Sequence, residues 1–194
     1  MGESGNSKTQ QLLQQGLDHY GAGEIAEAFR AWREVLKHDP GNAEAVDYLE
    51  SADRRSSRNL PSSERMPDAA RGFVFEAQRL LDHDDFEGAF DLLRSGAESQ
   101  ESNLGLEAML ELVRSGLFRQ YRARMGDLDS VPTLCKDPGD VTKFNLPADA
   151  GFMLSLMDGS TSLADLISLS GMDAFAALRI VQQLLDAEIV GLSA

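Results

Sequence analysis

Residues 12–40 read LLQQGLDHYGAGEIAEAFRAWREVLKHDP. Apolar residues recur at helical spacing on both sides of a small Gly-containing break, and Pro40 closes the stretch. The pattern predicts two amphipathic helices, over 10–22 and 24–38, joined by a tight turn. Small residues fall where two such helices must touch: Gly16 in the first and Ala28 in the second. Ile25 stands between them, and Trp32 follows Ala28 by one turn.

The next segment, NAEAVDYLESAD from Asn42 to Asp53, begins a third helix with Ala43, Val46 and Leu49 on one face. A solitary helix there would cover the apolar edge of the preceding pair. Composition then changes. RRSSRNLPSSERMPD (54–68) holds four Arg, four Ser and two Pro, and is expected to be a linker. Beyond it, within 69–98, Ala77, Phe86, Ala89 and Leu93 repeat the spacing of Gly16, Ile25, Ala28 and Trp32. The polar run Asp82–Asp85 between them fits a turn between helices better than a calcium loop, which needs acids at alternating positions.

These two matched sets resemble the tetratricopeptide (TPR) repeat, a helix–turn–helix unit of roughly 34 residues. The resemblance implies a protein-binding surface lined mainly by the first helix of each repeat. Carried over position by position, that surface comprises Gln10, Leu13, Leu17 and Tyr20 in the first repeat, and Arg71, Val74, Gln78 and Leu81 in the second. Tyr20 and Arg71 are the preferred anchors, since Tyr and Arg dominate interface energetics. The chain departs from the family in separating its two repeats by a linker, so an edge surface, or a homo-oligomer that completes the array, is the alternative to a groove.

A long helix is predicted from Leu104 to Met125, with Leu106, Met109, Leu110, Val113, Leu117 and Tyr121 as its apolar stripe and Gly126 ending it. Its C-terminal half carries Arg114, Arg119, Arg122 and Arg124. Cations near a helix C-terminus are favoured by about 0.3–1 kcal/mol each. Arg119, Arg122 and Arg124 are also the candidates for an anion contact.

Residues 130–194 read differently. Ser130–Cys135 and Val141–Asn145 flank KDPGD and are expected to pair as a hairpin, with Cys135 half-buried in the first strand. Three helices follow, over 148–158, 162–170 and 173–187. Ser162 with Asp165 gives a capping-box-like start, and Asp173 is an N-cap. The closing EIVGL is expected to return as a strand. Asp158-Gly159, Ser162-Leu163, Leu184-Leu185 and Ile189-Val190 resemble the small winged-helix modules of bacterial regulatory proteins, and are similar to the PqqD-like peptide-recognition fold. That resemblance implies a peptide added as a strand beside the hairpin. Asp158-Gly159 on its own is most simply a helix-ending turn. Between Asp140 and Ala194 only Lys143 and Arg179 face seven acids, a net charge of −5, so direct nucleic-acid binding by this module is not expected.

The whole chain carries −14, which also repels phosphate backbones. No apolar run approaches the roughly 20 residues of a membrane span. The start MGESGNSKTQ has no basic-then-apolar signal pattern, and the single Cys135 suits a reducing cytoplasm. No phosphate loop or nucleophile elbow occurs, and His19, His38 and His83 are not spaced as metal ligands, so neither catalytic residues nor a metal or other cofactor is expected. The sequence therefore reads as mainly α: a flexible tail over 1–9, a TPR-like pair with its capping helix over 10–53, a linker, a second pair with the long helix over 69–126, and a small α/β winged-helix-like module over 130–194. The expected function is a non-enzymatic adaptor or scaffold in a bacterial regulatory or assembly system, with protein partners. The alternatives are a peptide-recognition subunit of a modifying enzyme and a transcription-associated regulator.

Overall fold

The structure, a computed structural model, describes residues 3–59, 68–99, 103–136, 144 and 146–193. Among the described residues it is mainly helical, with one two-stranded sheet. In chain order the elements are α1 (Glu3–Ala22), α2 (Ile25–His38), α3 (Ala43–Asn59), α4 (Asp68–Leu81), α5 (Phe86–Ser99) and α6 (Leu104–Met125). Then come β1 (Val131–Leu134), α7 (Ala148–Leu156), α8 (Leu163–Ser170), α9 (Ala174–Asp186) and β2 (Val190–Ser193). The chain divides into two compact units, Met1–Leu117 and Phe118–Ala194, with α6 running from the first into the second.

In the first unit α1 and α2 form a helical hairpin. Gly23, at φ +82°, makes the turn, where Glu24 N–H donates to the His19 carbonyl at 2.9 Å. The left-handed backbone at Gly23 is one that glycine adopts without a Cβ penalty. Gly16 is the close-approach residue of the crossing, since a Cβ there would sit 2.1 Å from Trp32 Nε1. Trp32 is 1% exposed and forms a core with Phe29, Val35, Leu36, Val46 and Leu49. The tilted rings of Tyr20 and Tyr48, from α1 and α3, flank it with centroids 5.8 and 5.5 Å away. Asn42 caps α3 by accepting from Ala45 N–H at 3.0 Å. The first half of α6 joins this core through Leu104, Ala108 and Leu112, and an Arg33–Glu107 ion pair ties α2 to α6 beside it.

The second hairpin, α4–α5, uses the same device. Ala77, Ala89 and Leu93 are fully buried, and a Cβ on Gly96 would lie 2.8 Å from the Phe73 ring. The run Asp82–Asp85 is a turn: Asp85 N–H donates to the Leu80 carbonyl, and the Asp85 carboxylate accepts from Gly88 N–H at 2.9 Å, capping α5. Asp85 is thus there to satisfy a backbone donor of the helix that follows.

Three boundaries differ from the sequence expectation. The tail assigned to 1–9 is helical from Glu3, because once α1 is anchored by packing each further residue adds a backbone hydrogen bond at little cost. The expected linker is helical through Asn59 at its start and from Asp68 at its end, with 60–67 outside the described residues. In the second unit β1 pairs antiparallel with β2, Val131 opposite Ser193 and Leu134 opposite Val190. The strand expected at 141–145 lies outside the described residues except for Phe144.

The second unit's core collects Met153, Leu163, Leu166, Phe175, Leu178, Val181, Leu184 and Ile189. The Ser130 and Leu128 carbonyls each accept at 3.0 Å from the first amides of α8, Leu163 and Ala164. The Ser162 hydroxyl accepts from Asp165 N–H at 3.2 Å and donates to its carboxylate at 2.9 Å, so aspartate completes the capping pair. Asp158 closes the preceding turn by accepting from Ser160 and Thr161 N–H, both at 2.8 Å. Those backbone donors hold its carboxyl well below the ordinary carboxylate range. Asp173 accepts from Phe175 and Ala176 N–H at 3.0 and 3.3 Å. Asp173→Ala is therefore expected to cost the second unit about 1 kcal/mol, read as a lower urea midpoint with an unchanged slope. An unmoved midpoint would show that the cap contributes nothing.

Candidate partner-docking face

The residues proposed from sequence as binding positions divide sharply by burial. On α1, Leu13 is 6% exposed, and its carbonyl accepts from Trp32 Nε1 at 3.4 Å, so it is a core residue. This corrects its assignment to a surface. The reason is that α1 meets α2 one helical turn around from the Gly16 crossing, and Leu13 precedes Gly16 by three residues. Tyr20 is half-buried with its ring against Trp32. Gln10 is exposed and Leu17 is 38% exposed, leaving little apolar area on α1 for a partner.

α4 presents more. Arg71 and Gln78 are exposed, Val74 and Leu81 half-buried, and Gln78 Nε2 donates to Asp82 Oδ1 at 3.2 Å. Between them stands Phe75, 72% exposed, the most exposed of the large apolar side chains described. Sequence reading passed over it because Phe73, Val74 and Phe75 form one apolar run. The helical angle separates them: Ala70 and Ala77 lie seven residues apart on the core face, and Phe75 falls on the opposite side. Gly72, one turn before Phe75, faces open space where a Cβ would meet nothing within 4 Å. Arg79, one turn after, is exposed and pairs with Glu76, its Nε donating at 3.1 Å to Oε2. That hydrogen bond lowers the Glu76 carboxyl below its ordinary range and raises the Arg79 guanidinium. The outer face of α4 thus offers an aromatic ring, a bare stretch of backbone and two guanidiniums.

The anion candidates are not assembled into a site. Arg124 Nη2 donates to Asp186 Oδ1 at 3.0 Å, and a carboxylate in that position repels an incoming anion. Arg119 is exposed, and Arg122 is half-buried with a buried Nη1 that has no hydrogen-bond partner among the described residues. All three lie toward the C-terminal, partially negative end of α6, which favours the arginines themselves and disfavours anions.

Little else suggests chemistry. Among the described residues no group of three or more His, Cys, Asp or Glu is placed to hold a metal ion. Cys135 is exposed, against the half-buried position expected for it. It lies just past the end of β1, with its N–H still donating to the Ile189 carbonyl at 2.9 Å and its Sγ against Gly191 of β2, where a Cβ would sit 2.9 Å from it. Among the described residues no helix is long and apolar enough to cross a membrane. No protein-family model matches the chain, and no curated protein or solved structure matches it either.

Proposed function

We propose that this protein is a non-enzymatic adaptor that docks a partner protein on the outer face of α4, with its two hairpins acting as TPR-like scaffolding. The observation that carries the reading is Phe75, a large aromatic ring left 72% exposed on a helix that buries Ala70 and Ala77 on its opposite face. Single exposed apolar residues are ordinary, but aromatic and Arg neighbours on one helix face have the composition of an interface centre. The C-terminal unit, three helices with a two-stranded sheet, serves in this reading as a second, winged-helix-like docking module. Its net charge of −5 from Asp140 onward argues for a protein over nucleic acid as its partner.

The test is a photo-crosslinking amino acid placed singly at Phe75, Arg71 and, as a control, the exposed Arg30 on α2. Adducts of one defined mass are expected at the α4 positions and not at Arg30, with the partner identified by mass spectrometry. If no position on α4 gives an adduct, and the purified chain turns over a metabolite, the adaptor reading is lost.

A further inference from the structure

Resting on the reading of the C-terminal unit as a docking module, we infer that the outer faces of α7 and α8 take a basic, amphipathic segment of a partner protein. Phe152 and Leu169 receive its apolar side chains, and Asp149 and Asp165 its cations. Phe152 is 45% exposed on α7, and Leu169 is 65% exposed on α8. Each helix buries its other face, with Ala150 and Met153 on α7 and Leu163 and Leu166 on α8. On each, an exposed aspartate stands one helical turn before the exposed apolar side chain: Asp149 before Phe152, and Asp165 before Leu169. The same acid-and-apolar pair thus occurs twice, on two helices that pack against each other.

Charge decides what the partner brings. From Phe144 to Leu178 the chain holds four aspartates, all exposed, and no Lys, Arg or His. Asp149 and Asp165 lie in the first turns of their helices, where the dipole favours them. The same dipole favours cations in the last turns, yet α7, α8 and α9 carry none there. α7 and α8 hold one charged residue each, whereas a helix that keeps one face in water ordinarily lines that face with charged and polar side chains. Asp158, between the two helices, is kept ionised by the Ser160 and Thr161 N–H groups that it accepts. The stretch is therefore anionic with no cation of its own, which attracts a basic segment and repels an acidic one. The exposed Phe152 ring adds a face on which a Lys or Arg can sit.

The experiment uses the full-length chain to select from a library of random peptides, then titrates the resynthesised winners by fluorescence anisotropy. Peptides that combine Lys or Arg with Phe, Leu or Trp are expected. Phe152→Ala together with Leu169→Ala should weaken them by about tenfold or more. Asp149→Lys should also weaken them, more at low salt than at high. Asp47→Lys, the same charge change at an exposed position of α3, and Phe75→Ala should change little. All the substituted positions are solvent-exposed, and circular dichroism checks that each variant is folded. Basic peptides whose binding ignores the double substitution would show attraction to the net charge of −14 alone and overturn the proposal. Uncharged or acidic peptides that depend on Phe152 and Leu169 would overturn the basic chemistry while leaving a docking face on α7 and α8. Self-association in sedimentation velocity that the double substitution abolishes would assign the face to a second copy and sink the proposal. No enrichment at all would also sink it. Crosslinks at Phe75 would then still support the adaptor reading, whereas their absence as well would remove both.

Discussion

Trp32→Ala is expected to destabilise the Met1–Leu117 unit by about 3–5 kcal/mol. The indole is 1% exposed and is surrounded by rings from three helices: Tyr20 at 5.8 Å, Phe29 at 6.3 Å and Tyr48 at 5.5 Å. Deleting it removes the transfer free energy of the largest side chain and opens a cavity that rigid helix backbones cannot close. It also leaves the Leu13 carbonyl without its side-chain donor. Domain stabilities are typically about 5–15 kcal/mol, so this one change takes a large fraction of the total. Urea unfolding followed by far-ultraviolet circular dichroism is the measurement, because the substitution removes the chain's only tryptophan signal. A loss below about 1 kcal/mol would mean that the three helices do not close on this residue.

That tryptophan also shows how far sequence could carry the fold. Helix periodicity marked Gly16 and Ala28 as the close-approach residues of a hairpin, and the structure adds that Trp32, sixteen residues beyond Gly16, fills the space that glycine leaves. The same logic located α6 to the residue, since an apolar stripe and a terminal glycine mark both its body and its end; Gly126 indeed takes φ +64°. Caps were legible too. Ser162 and Asp173 accept the amides that their types and positions imply. What escaped was non-local. Nothing in VPTL specifies a partner strand, so the pairing of Val131 with Ser193 across sixty residues could not be read from local pattern.

The candidate face was half legible for a related reason. Arg71, Val74, Gln78 and Leu81 were reached through a resemblance, and the structure puts two of them in solvent and two at the margin of the core. Phe75, which carries the reading, was missed because hydrophobicity alone does not separate an interior aromatic from an exterior one. Burial of Ala70 and Ala77 fixes which side of α4 is inward, and only then does an exposed Phe become visible as an anomaly. Leu13 failed in the opposite direction. Its apolar character suited a groove and a core equally, and proximity to the Gly16 crossing decided for the core.

The second large effect concerns two glycines that respond to the same substitution with opposite signs. Gly16→Ala places a methyl 2.1 Å from Nε1, 2.5 Å from Cδ1 and 2.6 Å from Cε2 of Trp32. The indole cannot yield, because the rings of Tyr20 and Tyr48 flank it and it has no solvent to move into. Overpacking of this kind typically costs about 1–3 kcal/mol and occasionally more. Alanine's better helix propensity offsets about 1 kcal/mol of that. An approach of 2.1 Å to a ring that cannot move belongs to the upper part of that range, about 2–3 kcal/mol, so the net expectation is a destabilisation of about 1–2 kcal/mol, read from the urea midpoint. Gly116 also lies mid-helix, in α6, yet a Cβ there meets nothing within 4 Å. Only the propensity acts, so Gly116→Ala should stabilise by about 0.5–1 kcal/mol. The two signs together separate packing from propensity. Adding Trp32→Leu to Gly16→Ala completes a double-mutant cycle: with the indole gone, the added methyl should cost far less than it does in the wild-type background. If both glycines respond alike, or the cycle shows no coupling, the close α1–α2 crossing is not what selects glycine at position 16.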